Sequence, residues 1–333
     1  MSPDPSSVVS LADWKSLFER RGGIRLRICR SSRRIANRDE VDSRRIRSVQ
    51  KRPGSHFRRD NMFKKLKRLF AGESETASPN VPTGEDSTVL SQWCTETLDG
   101  RRIDVFVPSS DEPPNAAVLF LHGHGQVLLN QNSVFSQLLN EHRLAAICPD
   151  GGRSWWLDVV CPDFHPELTA QKWLIDSVVP FIGQRLSIKP PRIALLGVSM
   201  GGQGVLQLAY RYASRFPVVA AISPAVDFQQ LYGSGIALDS MFPDAEAARQ
   251  MTVVLNLHPL AWPRHQFYCC DPADTEWFDG AARLGMKLSS SGILHERDLQ
   301  TTGGGHSWEY FNRMAEPALK HISASLRKLA PPA

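Results

Sequence analysis

The stretch Gly197-Val198-Ser199-Met200-Gly201 has the G-x-S-x-G spacing and joins two elements of opposite kind. Before it, Arg192-Ile193-Ala194-Leu195-Leu196 is an apolar run of strand length; after it, Gly202 to Tyr210 reads as a helix. A serine at such a junction occupies a sharp strand-to-helix turn. Small residues two before and two after are required, because a side chain at either place would clash across the turn. The turn lifts the hydroxyl clear of the sheet and aims the first N–H groups of the helix at whatever it attacks. The chemistry this predicts is nucleophilic attack by Ser199. The pentapeptide alone is a weak signal, and the strand and helix on its two sides give it its meaning.

A free serine hydroxyl is a poor nucleophile and needs a base. Among ten histidines, His306 has the setting for one. It follows Gly303-Gly304-Gly305, which lets a loop bend back over the sheet edge, and lies between the strand-like 294–299 and the helix-like 308–329. His165, His258 and His321 have no comparable setting. The base in turn needs an acid to fix its tautomer. The segment after Phe267-Tyr268-Cys269-Cys270 offers Asp271, Asp274, Glu276 and Asp279. Proximity to the C-terminal end of a strand, where ligands of open α/β sheets bind, favours Asp271 or Asp274.

Attack on an acyl group also needs donors for the developing oxyanion. Met200 offers one through its backbone N–H. The other is expected from the loop after the first parallel strand, where glycine in His122-Gly123-His124-Gly125-Gln126 allows close backbone approach; Gly123, His124 and Gly125 are the candidates. Two histidines at i, i+2 with no carboxylate partner nearby argue against a metal, and no cofactor is implied. Trp155 and Trp156, in the loop after the next strand, are candidate pocket walls, as is Trp308 just past His306.

These residues need a frame. Gln92–Leu98 and Arg101–Val107 flank Asp99-Gly100, a hairpin signal. Apolar runs at 116–121, 144–148, 193–198, 218–222 and 266–270 then alternate with helical stretches, the pattern of a mostly parallel sheet covered by helices. Residues 226–262 form a long excursion expected to carry helices beside the site. The chain has 333 residues, 42% of them hydrophobic, and no run of membrane-spanning length. Its six cysteines show neither disulfide-scaffold density nor C-x-x-C spacing, so buried free thiols in a reducing compartment are expected. With no apolar signal core at the N-terminus, the expected location is cytoplasmic.

The net charge of +5 hides a division. Residues 1–70 carry 20 Lys+Arg against 7 Asp+Glu, and the remainder carries 19 against 27. The first 70 residues therefore read as a basic, disordered tail, with a short basic amphipathic stretch at 62–70 suited to nucleic acid or anionic membrane. Met62 is a second candidate start, which would make 1–61 an upstream extension of the reading frame. Residues 71–90 read as a linker and 91–330 as the folded domain.

Residues 91–330 resemble the esterase branch of the α/β-hydrolases, which holds esterase D, S-formylglutathione hydrolases, feruloyl esterases and mycolyltransferases. The resemblance rests on Leu121-His122-Gly123-His124-Gly125, Pro149-Asp150-Gly151-Gly152, Gly197 to Gly202, Asp271-Pro272-Ala273-Asp274 with Asp279-Gly280, and Gly305-His306-Ser307-Trp308. It implies an α/β-hydrolase fold and a serine esterase acting on a small-molecule carboxylic ester or thioester, with no obligatory partner. It also implies Asp274 as the acid, with Asp271 as the alternative. This chain departs from the pattern at Asp271, where a small residue is expected. Acyl transfer by the same triad is the rival within enzymes. A catalytically inactive hydrolase-fold module tethered by its basic arm is the rival outside them.

Overall fold

The apolar run at 116–121 becomes β3 (Ala117–Leu121), buried along its whole length because it lies inside a sheet covered on both faces. The structure, a computed structural model, describes residues 88–329. The basic tail, the 62–70 stretch and nearly all of the linker lie outside them.

Eight strands form one sheet. The hairpin β1 (Trp93–Leu98) and β2 (Arg101–Phe106) is antiparallel and turns at Asp99-Gly100, both at positive φ. β4 (Ala145–Pro149) pairs antiparallel with β2 and parallel with β3. From there β5 (Ile193–Val198), β6 (Val218–Ile222), β7 (His265–Cys269) and β8 (Glu296–Asp298) add in parallel, giving the order β1-β2-β4-β3-β5-β6-β7-β8. This is the expected mostly parallel α/β sheet with an N-terminal antiparallel hairpin.

Period-two alternation divides the strands between two cores. Leu119, Leu121, Ile147 and Leu195 face one layer, and Val118, Phe120, Ala146 and Leu196 face the other. The first layer includes α2 (Ala170–Trp173), α3 (Val179–Leu186), α4 (Met200–Arg211) and, after the excursion helices α5 (Leu238–Met241) and α6 (Ala245–Gln250), α7 (Phe278–Ser290). The second is covered by α1 (Ser133–Glu141), α8 (Trp308–Arg313) and α9 (Ala315–Lys328). Cys269 and Cys270 fall on opposite faces, both buried free thiols, and burial pushes both well above the usual thiol value.

Two expected elements differ in extent. The helix expected over 308–329 is interrupted at Met314, and Pro317 sits in the first turn of α9, where its missing N–H costs nothing. The strand expected over 294–299 shrinks to three residues, because β8 is an edge strand with only β7 beside it. Among the described residues, no helix is long and apolar enough to cross a membrane.

Candidate functional site

Ser199 sits between β5 and α4 at φ 55°, ψ −120°. A non-glycine residue holds that conformation only where its surroundings over-determine it. Here its N–H donates to the Ile222 carbonyl and its own carbonyl accepts from Ala225, each at 3.0 Å. The flanking glycines are forced by close approach. A Cβ on Gly197 would lie 2.3 Å from the Gly201 carbonyl oxygen, and one on Gly201 would lie 1.9 Å from that of Leu121. Although Ser199 occupies the N-cap of α4, its hydroxyl makes no capping bond.

The Ser199 hydroxyl is 2.8 Å from His306 Nε2, and His306 Nδ1 is 2.7 Å from Asp274 Oδ2. A carboxylate can only accept, so Nδ1 carries the proton and the Nε2 lone pair faces the serine hydroxyl. Asp274 is buried, and its other oxygen accepts the N–H groups of Glu276 (3.2 Å) and Trp277 (3.1 Å). It is therefore held by its own turn while Oδ2 faces the imidazole. His306 reaches the site from a loop in which Gly304 and Gly305 have φ of 87° and 72°. Its ring packs edge-on against Phe311 at 5.3 Å.

Asp271, the alternative acid, is directed elsewhere. Its Oδ1 accepts from Ala273 at 2.7 Å, and its Oδ2 accepts from Gly303 at 2.6 Å and Gly305 at 2.8 Å. It is fully buried. Burial opposes its ionisation, but the three N–H donors outweigh it and hold the carboxyl below its usual range.

The Gly123–Gly125 loop closes over the serine: a Cβ on Gly123 would lie 3.3 Å from Ser199 Cβ. Met200, first residue of α4, supplies an N–H from the start of the helix, where no intrahelical acceptor exists. Beneath the loop lies a support that the sequence reading did not assign. His122 is buried; its Nε2 accepts from Gly151 at 3.1 Å, so its Nδ1–H donates to the Gly123 carbonyl at 2.7 Å. Trp156 Nε1–H donates to the His122 carbonyl at 3.0 Å, and the Gln203 amide donates to the Trp155 carbonyl. Asp150 does come within 3.6 Å of His122 Nε2, so that histidine has a carboxylate neighbour after all. Among the described residues, however, no group of three or more His, Cys, Asp or Glu could hold a metal ion.

A cavity of about 210 Å³ opens onto Ser199 and His306. Trp155 and Trp308 line it, as do Trp277 and Phe311, which the sequence reading missed. Trp156 does not. Adjacent tryptophans with φ of 56° and 53° send their rings apart, and that of Trp156 goes into the core between Gly151 and Gly204. The arrangement can deprotonate the serine hydroxyl, deliver it to an apolar-walled acyl group and offer backbone donors to the oxygen that becomes charged.

Residues 96–322 match the model of the esterase family, described as "Putative esterase". No curated protein sequence matches the chain. Among solved structures, the S-formylglutathione hydrolase from Agrobacterium tumefaciens superposes with a TM-score of 0.59 at 16% identity, covering 70% of this chain and 94% of that one. FphF, a fluorophosphonate-binding serine hydrolase of Staphylococcus aureus, gives 0.57 at 16%, covering 67% and 92%. The ferulic acid esterase AmCE1/Fae1A from the anaerobic fungus Anaeromyces mucronatus gives 0.51 at 18%, covering 70% and 90%. At these identities the likeness is one of fold.

Proposed function

Because the chain belongs to the esterase family of the α/β-hydrolases, we propose that it hydrolyses a carboxylic ester or thioester through an acyl-enzyme on Ser199. The observation that carries this reading is the continuous relay from Ser199 through His306 to Asp274, with contacts of 2.8 and 2.7 Å. Ser199 Oγ attacks the acyl carbon while His306 Nε2 takes its proton. Asp274, accepting from Nδ1, stabilises the imidazolium that results. The N–H of Met200 and a backbone N–H of the 123–125 loop bind the tetrahedral oxyanion. His306 then returns its proton to the departing alcohol or thiol, leaving the acyl group on Ser199. A water, deprotonated by the same nitrogen, attacks that acyl carbon; the second tetrahedral intermediate collapses to free acid, and Ser199 recovers its proton.

The test is covalent labelling by a fluorophosphonate probe together with turnover of short p-nitrophenyl esters. Ser199→Ala is expected to abolish both, and retention of either would overturn the mechanism. Transfer to an added alcohol in place of water would appear as a new ester product formed at the expense of free acid, with one p-nitrophenol released per acyl group transferred.

A further inference from the structure

Asp271 stands where a small residue is expected from the family resemblance, and the relay to Ser199 does not use it. From the turn after β7 its one carboxylate touches two loops. Oδ1 holds the Ala273 N–H, in the turn that presents Asp274. Oδ2 holds the Gly303 and Gly305 N–H groups, in the loop that presents His306. The Asp274–His306 contact spans these same two loops, which come within van der Waals range where a Cβ on Gly305 would lie 3.3 Å from the Ala273 carbonyl oxygen.

The other bonds of the loop leave the Gly303 and Gly305 N–H groups to Asp271: Ser307 donates its hydroxyl to the Gly303 carbonyl and its N–H to the Gly305 carbonyl, at 3.5 and 3.1 Å. β8 stops at Asp298, whose own carboxylate accepts from Gln300 and Thr301 and so ties down only the first residues after the strand. Thr302 is held from outside by the Arg313 guanidinium. At Gly303 and Gly305 the N–H groups point inward to Asp271.

We infer that Asp271 is a positioning residue for the proposed esterase reaction, an internal carboxylate staple that sets the distance and angle between the Asp274 carboxylate and the His306 imidazole. Only a deprotonated carboxyl does this with all three donors, because each oxygen must present lone pairs and neither can carry a proton towards an N–H. The isosteric amide cannot: an Asn that keeps the two glycine donors turns its NH₂ against the Ala273 N–H, and the flipped rotamer faces two N–H groups. Charged and titratable neighbours of the staple are Arg313, whose charge acts favourably on the Asp271 carboxylate, together with Asp274, Asp298 and Cys270.

This inference rests on the esterase reading, and its test separates the two. Wild type, Asp274→Asn and Asp271→Asn are compared with a p-nitrophenyl ester, with rates expressed per site titrated to completion by fluorophosphonate; the Ser199→Ala rate is expressed per mole of protein, since that variant offers no site to titrate. Asp271→Asn is expected to lower kcat by about 10- to 100-fold with KM little changed, the scale of effect of a displaced catalytic group. The acidic limb of its pH profile should also move to lower pH, because a loosened Asp274 contact stabilises the imidazolium less. Asp274→Asn should move it the same way and further. A role in stability alone would reduce the number of titratable sites but leave kcat per site and the limb in place, and that outcome overturns the inference. Should Asp271→Asn not fold, Asp271→Ser, the small residue expected from the family resemblance, removes the same carboxylate, and an unmoved limb and unchanged kcat per site there are equally decisive against the inference. Turnover surviving in Ser199→Ala would instead sink the esterase reading, whatever Asp271 does.

Discussion

Trp156 and Gly204 meet without a gap: a Cβ on Gly204 would lie 2.5 Å from the Cβ of Trp156 and 2.9 Å from its Cγ. The contact joins the loop after β4 to the middle of α4, the helix that starts at the candidate nucleophile. Because Trp156 also donates to the His122 carbonyl, it connects α4 to the loop over Ser199.

Gly204→Ala therefore sets two terms against each other. Alanine returns about 1 kcal/mol of helix propensity. Overpacking against atoms close to the Trp156 backbone costs about 1–3 kcal/mol, because no flexible side-chain end can yield. The expected outcome is a net loss of stability, read as a lower urea midpoint at unchanged slope, with a lower fluorophosphonate labelling rate as the His122 loop shifts.

His122 is expected to matter through its two ring partners. His122→Leu leaves the Gly151 N–H without its acceptor and the Gly123 carbonyl without its ring donor. A buried donor stripped of its partner costs about 1–3 kcal/mol. Urea unfolding should show a loss of that order, and kcat should fall more than KM rises, since the loop over Ser199 loses its support.

Which parts of this were legible follows from what each signal measures. Ser199 could be placed because the glycines at 197 and 201 are demanded by contacts that leave a mark in the sequence. His306 could be placed because three glycines before it announce a bent loop. Asp271 and Asp274 could not be separated from the residues themselves: both follow β7 within a few positions, and what distinguishes them is which backbone N–H groups capture each carboxylate. Trp155 and Trp156 differ only in the direction their rings take from consecutive positive-φ residues, which composition does not encode. Trp277 carried no signal at all, since a tryptophan at the start of a helix reads equally well as core.

The pH dependence of stability should show the mark of His124. Burial and then the charge of Arg153 lower its pKa to about 4. Its folded value lies below the roughly 6.5 of an unfolded histidine. Above 6.5 both states are neutral and nothing is lost. As pH falls from 6.5 towards 4 the unfolded chain binds a proton that the folded one refuses, so stability declines, by on the order of 3 kcal/mol once pH is below both values. Urea titrations of wild type and His124→Phe across this window should diverge with that slope. Parallel curves would place the charged histidine within reach of solvent.

The aromatic walls should decide acyl size. Trp308 is partly exposed and lines the cavity, packing edge-on against Phe311 at 5.5 Å and Phe135 at 6.4 Å. Trp308→Ala removes a wall at the edge of the core, so kcat/KM for aryl or branched acyl p-nitrophenyl esters should rise relative to acetate by about tenfold, the scale at which pockets sort side-chain size. Trp156→Ala is the contrast. That ring is fully buried and lies off the cavity, so its removal should cost about 3–5 kcal/mol of stability and leave acyl preference where it was. If the two variants shift preference alike, the cavity is not the acyl pocket, and the selecting surface lies on the leaving-group side of Ser199.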